Sequence, residues 1–330
     1  MKLDVKNFPH VLAATRGKRV WIGLSGGVDS AVTAALLKRA GAAVTGVFIK
    51  GWYPPGLSCS WAKERQDAMR VAASLLLPFS TLDASKEYKQ GVIDYLLAEY
   101  KLGRTPNPDV MCNREVKFGA FARYAKEKGA DAIATGHYAR VEGGKLLRGV
   151  DASKDQSYFL WAVPKEILSF SLFPLGAMHK TDVRREAARM RLPVATKSDS
   201  QGICFLGSVS VHDFLQSEFE TEPGPAVDEV GKNVGIHDGV LLHTLGARIA
   251  LQNAKPGPWY VLAKDLTTNT LTVSNKRALQ EVTPHLTLRE VHNLNLNSDQ
   301  EVSAQFRYHG PLIPGTFALS SSRFIPAIPF

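Results

Sequence analysis

The chain has 330 residues, 45% hydrophobic and 22% charged, a globular balance that excludes intrinsic disorder and is long enough for two or three domains. No apolar run approaches the ~20 residues of a membrane span, and the charged, proline-bearing start MKLDVKNFPH argues against export. A net charge of +9 favours a polyanionic partner such as nucleic acid, and with nine basic against eleven acidic residues from Ser217 to Phe330, the surplus lies in the first two thirds.

In chain order, Lys18 to Leu24 reads as a short apolar strand broken by Ser25-Gly26-Gly27, and Asp29 to Ala40 as a helix closed by Gly41. Ala43 to Ile49 is a second strand, Ala62 to Leu76 a helix, Phe79 to Leu82 a third strand and Lys86 to Tyr100 a helix. Asn113 to Lys128 is helical again and Asp131 to Thr135 a further strand. This alternation predicts an α/β fold, a doubly wound parallel sheet with helices on both faces. Tyr138 to Glu142 and Lys145 to Val150 then form a hairpin around Gly143-Gly144, with helices expected at Gln156 to Val163, Thr181 to Met190 and Val211 to Phe219. Beyond the linker Thr221 to Pro225 the sequence is β-rich, with Asn269 turning Trp259 to Ala263 into Thr270 to Ser274, and Phe324 to Phe330 reading as a strand cut short. The expected domains are residues 1–216, 217–280 and 281–330. There is no internal repeat.

Ser25-Gly26-Gly27-Val28-Asp29-Ser30 follows a buried strand and opens a helix, the setting in which backbone N–H groups and the positive helix end hold phosphate. It lacks the lysine of a P-loop NTPase and the spacing of a dinucleotide fingerprint. The plainer alternative is a strand-to-helix turn capped by Asp29 or Ser30.

Three cysteines, Cys59, Cys112 and Cys204, are too few for a disulfide framework and fit a reducing, cytoplasmic compartment. Cys112 lies in RTPNPDVMCN, a proline-stiffened loop running into a helix, where the helix dipole lowers a thiol pKa. Cys204 lies in the polar loop KSDSQGICF. Singly, each reads as a small buried hydrophobe. Downstream of a phosphate-binding loop, a thiol pair also suits sulfur transfer: one carries a persulfide, the other helps release its sulfur, and a disulfide results. Cys59 receives no chemistry. No close cysteine pair supports a zinc or iron–sulfur centre, and no metal site is assigned.

SGGVDS resembles the pyrophosphate loop of the ATP pyrophosphatase superfamily, and RTPNPDVMCN, ATGHYAR, LLRG, KDQSYFLW, LFPLG and DSQGICFLG, in that order, resemble the tRNA-specific 2-thiouridylase family. The resemblance covers about Gly23 to Gly207, with weaker echoes at His243-Thr244-Leu245-Gly246, Pro258-Trp259-Tyr260 and Arg307-Tyr308. It implies an adenine nucleotide alpha hydrolase-like domain, a small central β-rich domain and a C-terminal β-barrel. The implied activity is ATP-dependent 2-thiolation of a wobble uridine of tRNA. Cys112 would be the nucleophile and Cys204 the persulfide carrier. Gly23, Leu24, Ser25, Gly26, Gly27, Val28, Asp29, Ser30, Ile49 and Gly136 would bind ATP with Mg²⁺. Asn107, Pro108 and Asp109 would meet the target base, and His137, Lys154, Asp155, Gln156, Arg307 and Tyr308 the tRNA. A persulfide-donating sulfur carrier or cysteine desulfurase is the implied partner, with no membrane involved.

The family's barrel normally extends past the region of Arg307-Tyr308, so the last strands and a proline-glycine-glutamine element are expected to be missing here, leaving an incomplete barrel with an open sheet edge. Ala247 replaces a usual glutamine, and Ile249-Ala250-Leu251-Gln252-Asn253 a glycine-rich run. The competing functions are another pyrophosphate-loop ligase and a tRNA-binding protein without turnover. Arg184, Arg185, Arg189 and Arg191 are expected to form a phosphate-tracking stripe.

Overall fold

The structure is a computed structural model and describes residues 15–54, 61–199, 210–255, 257–276, 285–289, 291 and 298–327. The chain groups into two compact units, Met1–Tyr95 with Asn107–Val209, and Leu96–Pro106 with Ser210–Phe330.

In the first unit the chain runs β1 (Arg19–Gly23), α1 (Val28–Arg39), β2 (Ala43–Lys50), α2 (Trp61–Ser74), β3 (Phe79–Asp83), α3 (residues 85–101, whose last turns group with the second unit), α4 (residues 108–127) and β4 (Ala132–Ala134). The hairpin β5 (Ala139–Glu142) and β6 (Lys145–Arg148) follows, then β7 (Ser171–Leu172) and α5 (Lys180–Arg189). Strands β3-β2-β1-β4-β7, in that order, form one parallel sheet. Successive strand residues face opposite sides. Val20, Ile22, Phe48 and Ala134 therefore pack against Val32, Val71 and Ala187 of α1, α2 and α5, while Val47 and Ile133 pack against Phe118 and Phe121 of α4. Burial on both faces is why these strands read as continuous apolar runs. The expected doubly wound sheet is present.

Three local differences have physical causes. Helix α4 starts at Pro108, five residues before the expected Asn113, because the Asn107 side chain accepts from the Asp109 and Val110 amides (3.1 and 3.4 Å) and Pro108 fits the first helical position. The helix expected over Gln156 to Val163 is only a turn at Ser157–Phe159, ahead of Pro164, which biases the preceding residue away from the helical region. The two-residue β7 is too short to leave a period-2 signature.

Strands β2 and β3 lie on one side of β1, and β4 and β7 on the other. The carboxyl ends of β1 and β4 thus flank the topological switch point, where open α/β sheets bind ligands.

The second unit contains α6 (Val211–Glu218) and a five-stranded sheet of β8 (Gly224–Val227), β9 (Asn233–His237), β10 (Arg248–Ile249), β11 (Trp259–Asp265) and β12 (Thr270–Ser274), ordered β10-β11-β12-β8-β9. Ala226, Val240, Ile249, Val261, Leu271 and Val273 form its core. Asn269 makes the β11–β12 turn in the left-handed region (φ 49°). The sequence reading put α6 with the catalytic domain; here it groups with the second unit, where His212 and His243 each donate from Nε2 to Asp238 (2.8 and 2.7 Å). A second sheet, β13 (Leu286–Thr287), β14 (Gln300–Ala304), β15 (Ile313–Ala318) and β16 (Arg323–Pro326), is antiparallel in the order β13-β16-β15-β14.

Candidate active site

The Ser25–Ser30 loop joins β1 to α1 at the switch point. Gly26 takes φ +74°, and a Cβ there would stand 2.5 Å from the Glu64 carbonyl oxygen of α2, so glycine is required for two independent reasons. The loop is braced by hydroxyls: Ser30 Oγ donates to the Gly27 carbonyl (3.1 Å), and Ser25 Oγ accepts from the Gly27 amide (3.3 Å) and lies 3.2 Å from Ser30 Oγ. Neither Asp29 nor Ser30 caps α1, contrary to the plainer sequence reading. Gly27 is the N-cap, and among the described residues no side chain caps the first amides of α1, an arrangement that suits an anion.

Gly136, just after β4, presses on the loop from the far side. A Cβ at Gly136 would lie 2.9 Å from both Asp29 C and Ser30 N. Ile49, at the end of β2, packs beside Gly23, whose added Cβ would be 3.7 Å from Ile49 Cδ1. The sequence-selected Gly23, Leu24, Ile49 and Gly136 therefore border the β1–α1 loop.

The Asp29 carboxylate accepts from Tyr138 Oη (2.9 Å) and from Lys180 Nζ (2.7 and 2.8 Å). Burial, reinforced by Asp29, pushes the Tyr138 hydroxyl far above its usual range and keeps it a donor. Lys180 also pairs with Asp199 at 2.9 Å, and Asp199 is held by Lys154 (3.1 Å) and Arg184. Burial opposes ionisation of Asp199, but the bonds from Lys180 and Lys154 outweigh it and hold its carboxyl at about 2. Lys197 Nζ donates to the Gly26 carbonyl (3.1 Å) and Asp67 (2.8 Å). Sequence reasoning missed Tyr138, Lys180, Lys197 and Asp199 as site residues. Tyr138 and Asp199 sat inside quoted motifs, whereas nothing local relates position 180 to position 29.

Backbone amides at the α1 end suit phosphate oxygens, and the Asp29 and Ser30 oxygens are of the hard type that Mg²⁺ takes. A polyphosphate with a hard cation such as Mg²⁺ thus fits the donor chemistry here.

Cys112 is fully buried and opens a π-helical stretch, Cys112–Ala120, inside α4. With α4 starting at Pro108, the thiol sits in the second turn, past the reach expected of the helix dipole, which corrects the sequence argument for its pKa. The neighbouring Asp109 and Asn113 each carry a buried Oδ1 with no hydrogen-bond partner among the described residues. Cys204 and Cys59 lie outside the described residues.

The residues expected to touch tRNA are differently disposed. His137 is buried against Phe118 and Phe173, with Nδ1 2.8 Å from Thr135 Oγ1; burial, with the Lys117 charge adding to it, lowers its pKa well below the ordinary range. Asp155 accepts from the Gly149 and Ser157 amides (2.9 and 3.1 Å), Gln156 Oε1 from the Tyr138 amide (3.1 Å), and Lys154 pairs with Asp199. These are internal bonds that shape the switch-point wall. In the second unit, Arg307 is exposed and donates to the Leu245 carbonyl (2.8 Å), and the Tyr308 ring lies 3.9 Å from His309. The expected arginine stripe divides: Arg185 and Arg189 pair along α5 with Asp182 and Glu186, whereas Arg184 turns inward to the Ala195 and Lys197 carbonyls and Asp199.

Residues 18–208 match the family model described as the tRNA methyl transferase HUP domain, and residues 212–275 the model described as the tRNA methyl transferase PRC-barrel domain. A tRNA-specific 2-thiouridylase MnmA of Enterococcus faecalis is 43% identical over 317 residues, covering 92% of this chain and 85% of the relative. This chain belongs to the tRNA-specific 2-thiouridylase family. Two further thiouridylases are similar: that of Flavobacterium johnsoniae is 39% identical over 354 residues (91% of this chain, 90% of the relative), and that of Psychromonas ingrahamii 46% over 268 residues (78% and 73%). Among the described residues of this thiouridylase-family chain, no helix is long and apolar enough to cross a membrane.

Proposed function

We propose that the protein is a cytoplasmic tRNA-uridine 2-sulfurtransferase that uses ATP to replace the 2-oxygen of a wobble uridine with sulfur. One observation carries the reading: in a chain of this family, an uncapped helix start and the close-packed Gly136 frame a phosphate loop at the switch point. Mg²⁺ bound with ATP supplies charge neutralisation there.

The uracil 2-carbonyl is a poor electrophile with a poor leaving oxygen. Transfer of AMP to that oxygen, with loss of pyrophosphate, makes it a good leaving group. The amides at the start of α1 and the hydroxyls of Ser25 and Ser30 hold the phosphates, and Tyr138 and Lys180 fix the Asp29 carboxylate beside them. A base leaves the anticodon stack to reach the site, where Asn107, Pro108 and Asp109 form the receiving wall. The terminal sulfur of a Cys204 persulfide, loaded by a sulfur carrier or cysteine desulfurase, attacks C2 and expels AMP. The Cys112 thiolate attacks Cys204 Sγ of the resulting linkage, so the carbon keeps its sulfur as 2-thiouridine and a Cys112–Cys204 disulfide forms. A cellular dithiol then returns two electrons and two protons.

For tRNA we retain Arg307 and Tyr308 as contacts and assign His137, Lys154, Asp155 and Gln156 to shaping the wall, because their polar atoms are buried or bonded internally. The test is reconstitution with ATP, unmodified tRNA and a persulfide donor. Thiouridine with stoichiometric pyrophosphate is expected. Pyrophosphate release without tRNA points to a small-molecule ligase, and tRNA binding without pyrophosphate release to a non-catalytic binder.

A further inference from the structure

His243-Thr244-Leu245-Gly246 echoes the family in sequence, yet the thiolation chemistry leaves it without a role. Within the second unit each of its four residues is held. His243 donates from Nε2 to Asp238 (2.7 Å), and its carbonyl accepts from Lys264 Nζ (2.8 Å). The Thr244 hydroxyl lies 3.1 Å from Thr105 Oγ1 and bonds the hydroxyl of buried Tyr100. Tyr100 and Thr105 belong to the stretch Leu96–Pro106 that groups with this unit.

The peptide that joins Leu245 to Gly246 is fixed at both of its polar atoms. The Gly246 amide donates to the Val261 carbonyl on β11 (2.7 Å), and the Leu245 carbonyl accepts from Arg307 Nη2 (2.8 Å). A trans peptide is planar, so the bond to β11 sets the direction of the carbonyl on the opposite edge. Val261 is buried in the sheet core and its own amide donates to the Ala247 carbonyl (3.0 Å), which locks the turn to the strand. Gly246 completes the turn at φ +76°, a conformation open to glycine because it has no Cβ.

Arg307 is exposed, and the Leu245 carbonyl takes one of its five N–H donors. A surface arginine loses rotamer freedom when it binds, and one already seated on a backbone carbonyl has less to lose. Its planar fork suits phosphate oxygens, and phosphate contacts fix the register of a nucleic acid without reading its sequence. We infer that Thr244, Leu245 and Gly246 are positioning residues that seat the Arg307 guanidinium for a phosphate of the tRNA backbone. The left-handed turn supplies the carbonyl, and Thr244, clamped to Tyr100 and Thr105, keeps the turn from drifting. This rests on the reading of Arg307 as a tRNA contact.

The experiment titrates the full-length protein with unmodified tRNA over a salt series. Arg307→Gln should raise Kd about fivefold and flatten the plot of log Kd against log salt by roughly 0.7 to 0.9, the loss of one phosphate contact. Gly246→Ala, which strains the turn, should raise Kd about fivefold and flatten the plot to a similar degree. Thr244→Val serves if that variant is poorly folded: it removes the clamping hydroxyl and should raise Kd about threefold, whereas Thr244→Ser, which keeps the hydroxyl, should stay within about 1.5-fold of wild type. In an Arg307→Gln background neither Gly246→Ala nor Thr244→Val should change Kd by more than about 1.5-fold, because the group they position is gone. A merely structural role would instead add its full effect to that of Arg307→Gln. Such additivity in both variants, or wild-type Kd and salt slope in both, would overturn the positioning while leaving Arg307 a contact. Arg307→Gln with wild-type Kd and slope would overturn the contact and the inference together, and thiouridine formed by the wild-type protein in parallel would show the thiolation reading still standing.

Discussion

Gly136→Ala isolates the contact that closes the phosphate loop. The new Cβ would sit 2.9 Å from Asp29 C and from Ser30 N and 3.1 Å from Asp29 Cβ, about half an ångström or more inside ordinary contact. The clashing atoms are mainly backbone at the start of α1, and Gly136 itself follows a fully buried strand, so neither side can swing away as a flexible side chain would. Overpacking of this kind costs about 1–3 kcal/mol, which for a domain near 200 residues lowers Tm by about 3–10 °C. The loop must also shift by several tenths of an ångström. Where a 1 Å misplacement can cost about 100-fold, a roughly tenfold loss in kcat for pyrophosphate release follows. Gly27→Ala is the control: its φ is −94° and the added Cβ meets only Ser25 Oγ at 3.3 Å. It should change stability by less than about 1 kcal/mol and act mainly on KM for ATP by obstructing close approach of the phosphates. The assay is tRNA-dependent pyrophosphate release beside a thermal melt. Gly136→Ala with wild-type kcat and Tm would refute the packing argument for the loop.

Three further outcomes follow from particular residues. Cys204→Ser should carry no sulfane sulfur, whereas Cys112→Ser should load it without completing transfer; intact-protein mass spectrometry distinguishes them, and persulfide found on Cys59 with Cys204 dispensable would contradict the roles. His137 is neutral when folded, while the unfolded residue gains a proton below about pH 6.5, so its stabilising contribution is complete above that pH and falls by about 1.4 kcal/mol per unit as pH drops. Urea unfolding from pH 7.5 to 5.5 should show His137→Phe losing that part of the slope. Arg184→Glu should destabilise the protein by at least about 2 kcal/mol by removing its charged hydrogen bonds to segment 195–199, whereas exposed Arg185→Glu should cost less than about 0.5 kcal/mol beyond its local pair; equal melting temperatures would contradict the inward role of Arg184.

The strand–glycine loop–helix start of the first unit was legible because its signals are local: an apolar run, a glycine pair and helical periodicity. The same holds for the Asn269 turn. What stayed hidden depends on residues far apart in sequence. The 151-residue separation of Asp29 and Lys180 is closed only once α5 packs beside α1, and the inward turn of Arg184 is set by the carbonyls of a loop rather than by its own helix. Charge clustering suggested an RNA-facing stripe; the geometry instead spends one of those charges inside the unit. His137 was expected to meet tRNA only through the family resemblance, a motif match that carries no burial information, and Phe118 from α4 and Phe173 cover it. Helix α4 was placed too late because Asn107-Pro108 was read as loop chemistry rather than as cap and first helical residue.

The most direct measurement is liquid chromatography with mass spectrometry of nucleosides from unmodified tRNA incubated with the purified protein, ATP, Mg²⁺ and a persulfide donor, with Cys204→Ser in parallel. The account predicts wobble 2-thiouridine in the wild-type reaction, dependent on ATP and absent from the variant. Thiouridine formed equally without ATP or by Cys204→Ser, or none from a wild-type protein that binds both ATP and tRNA, would contradict it.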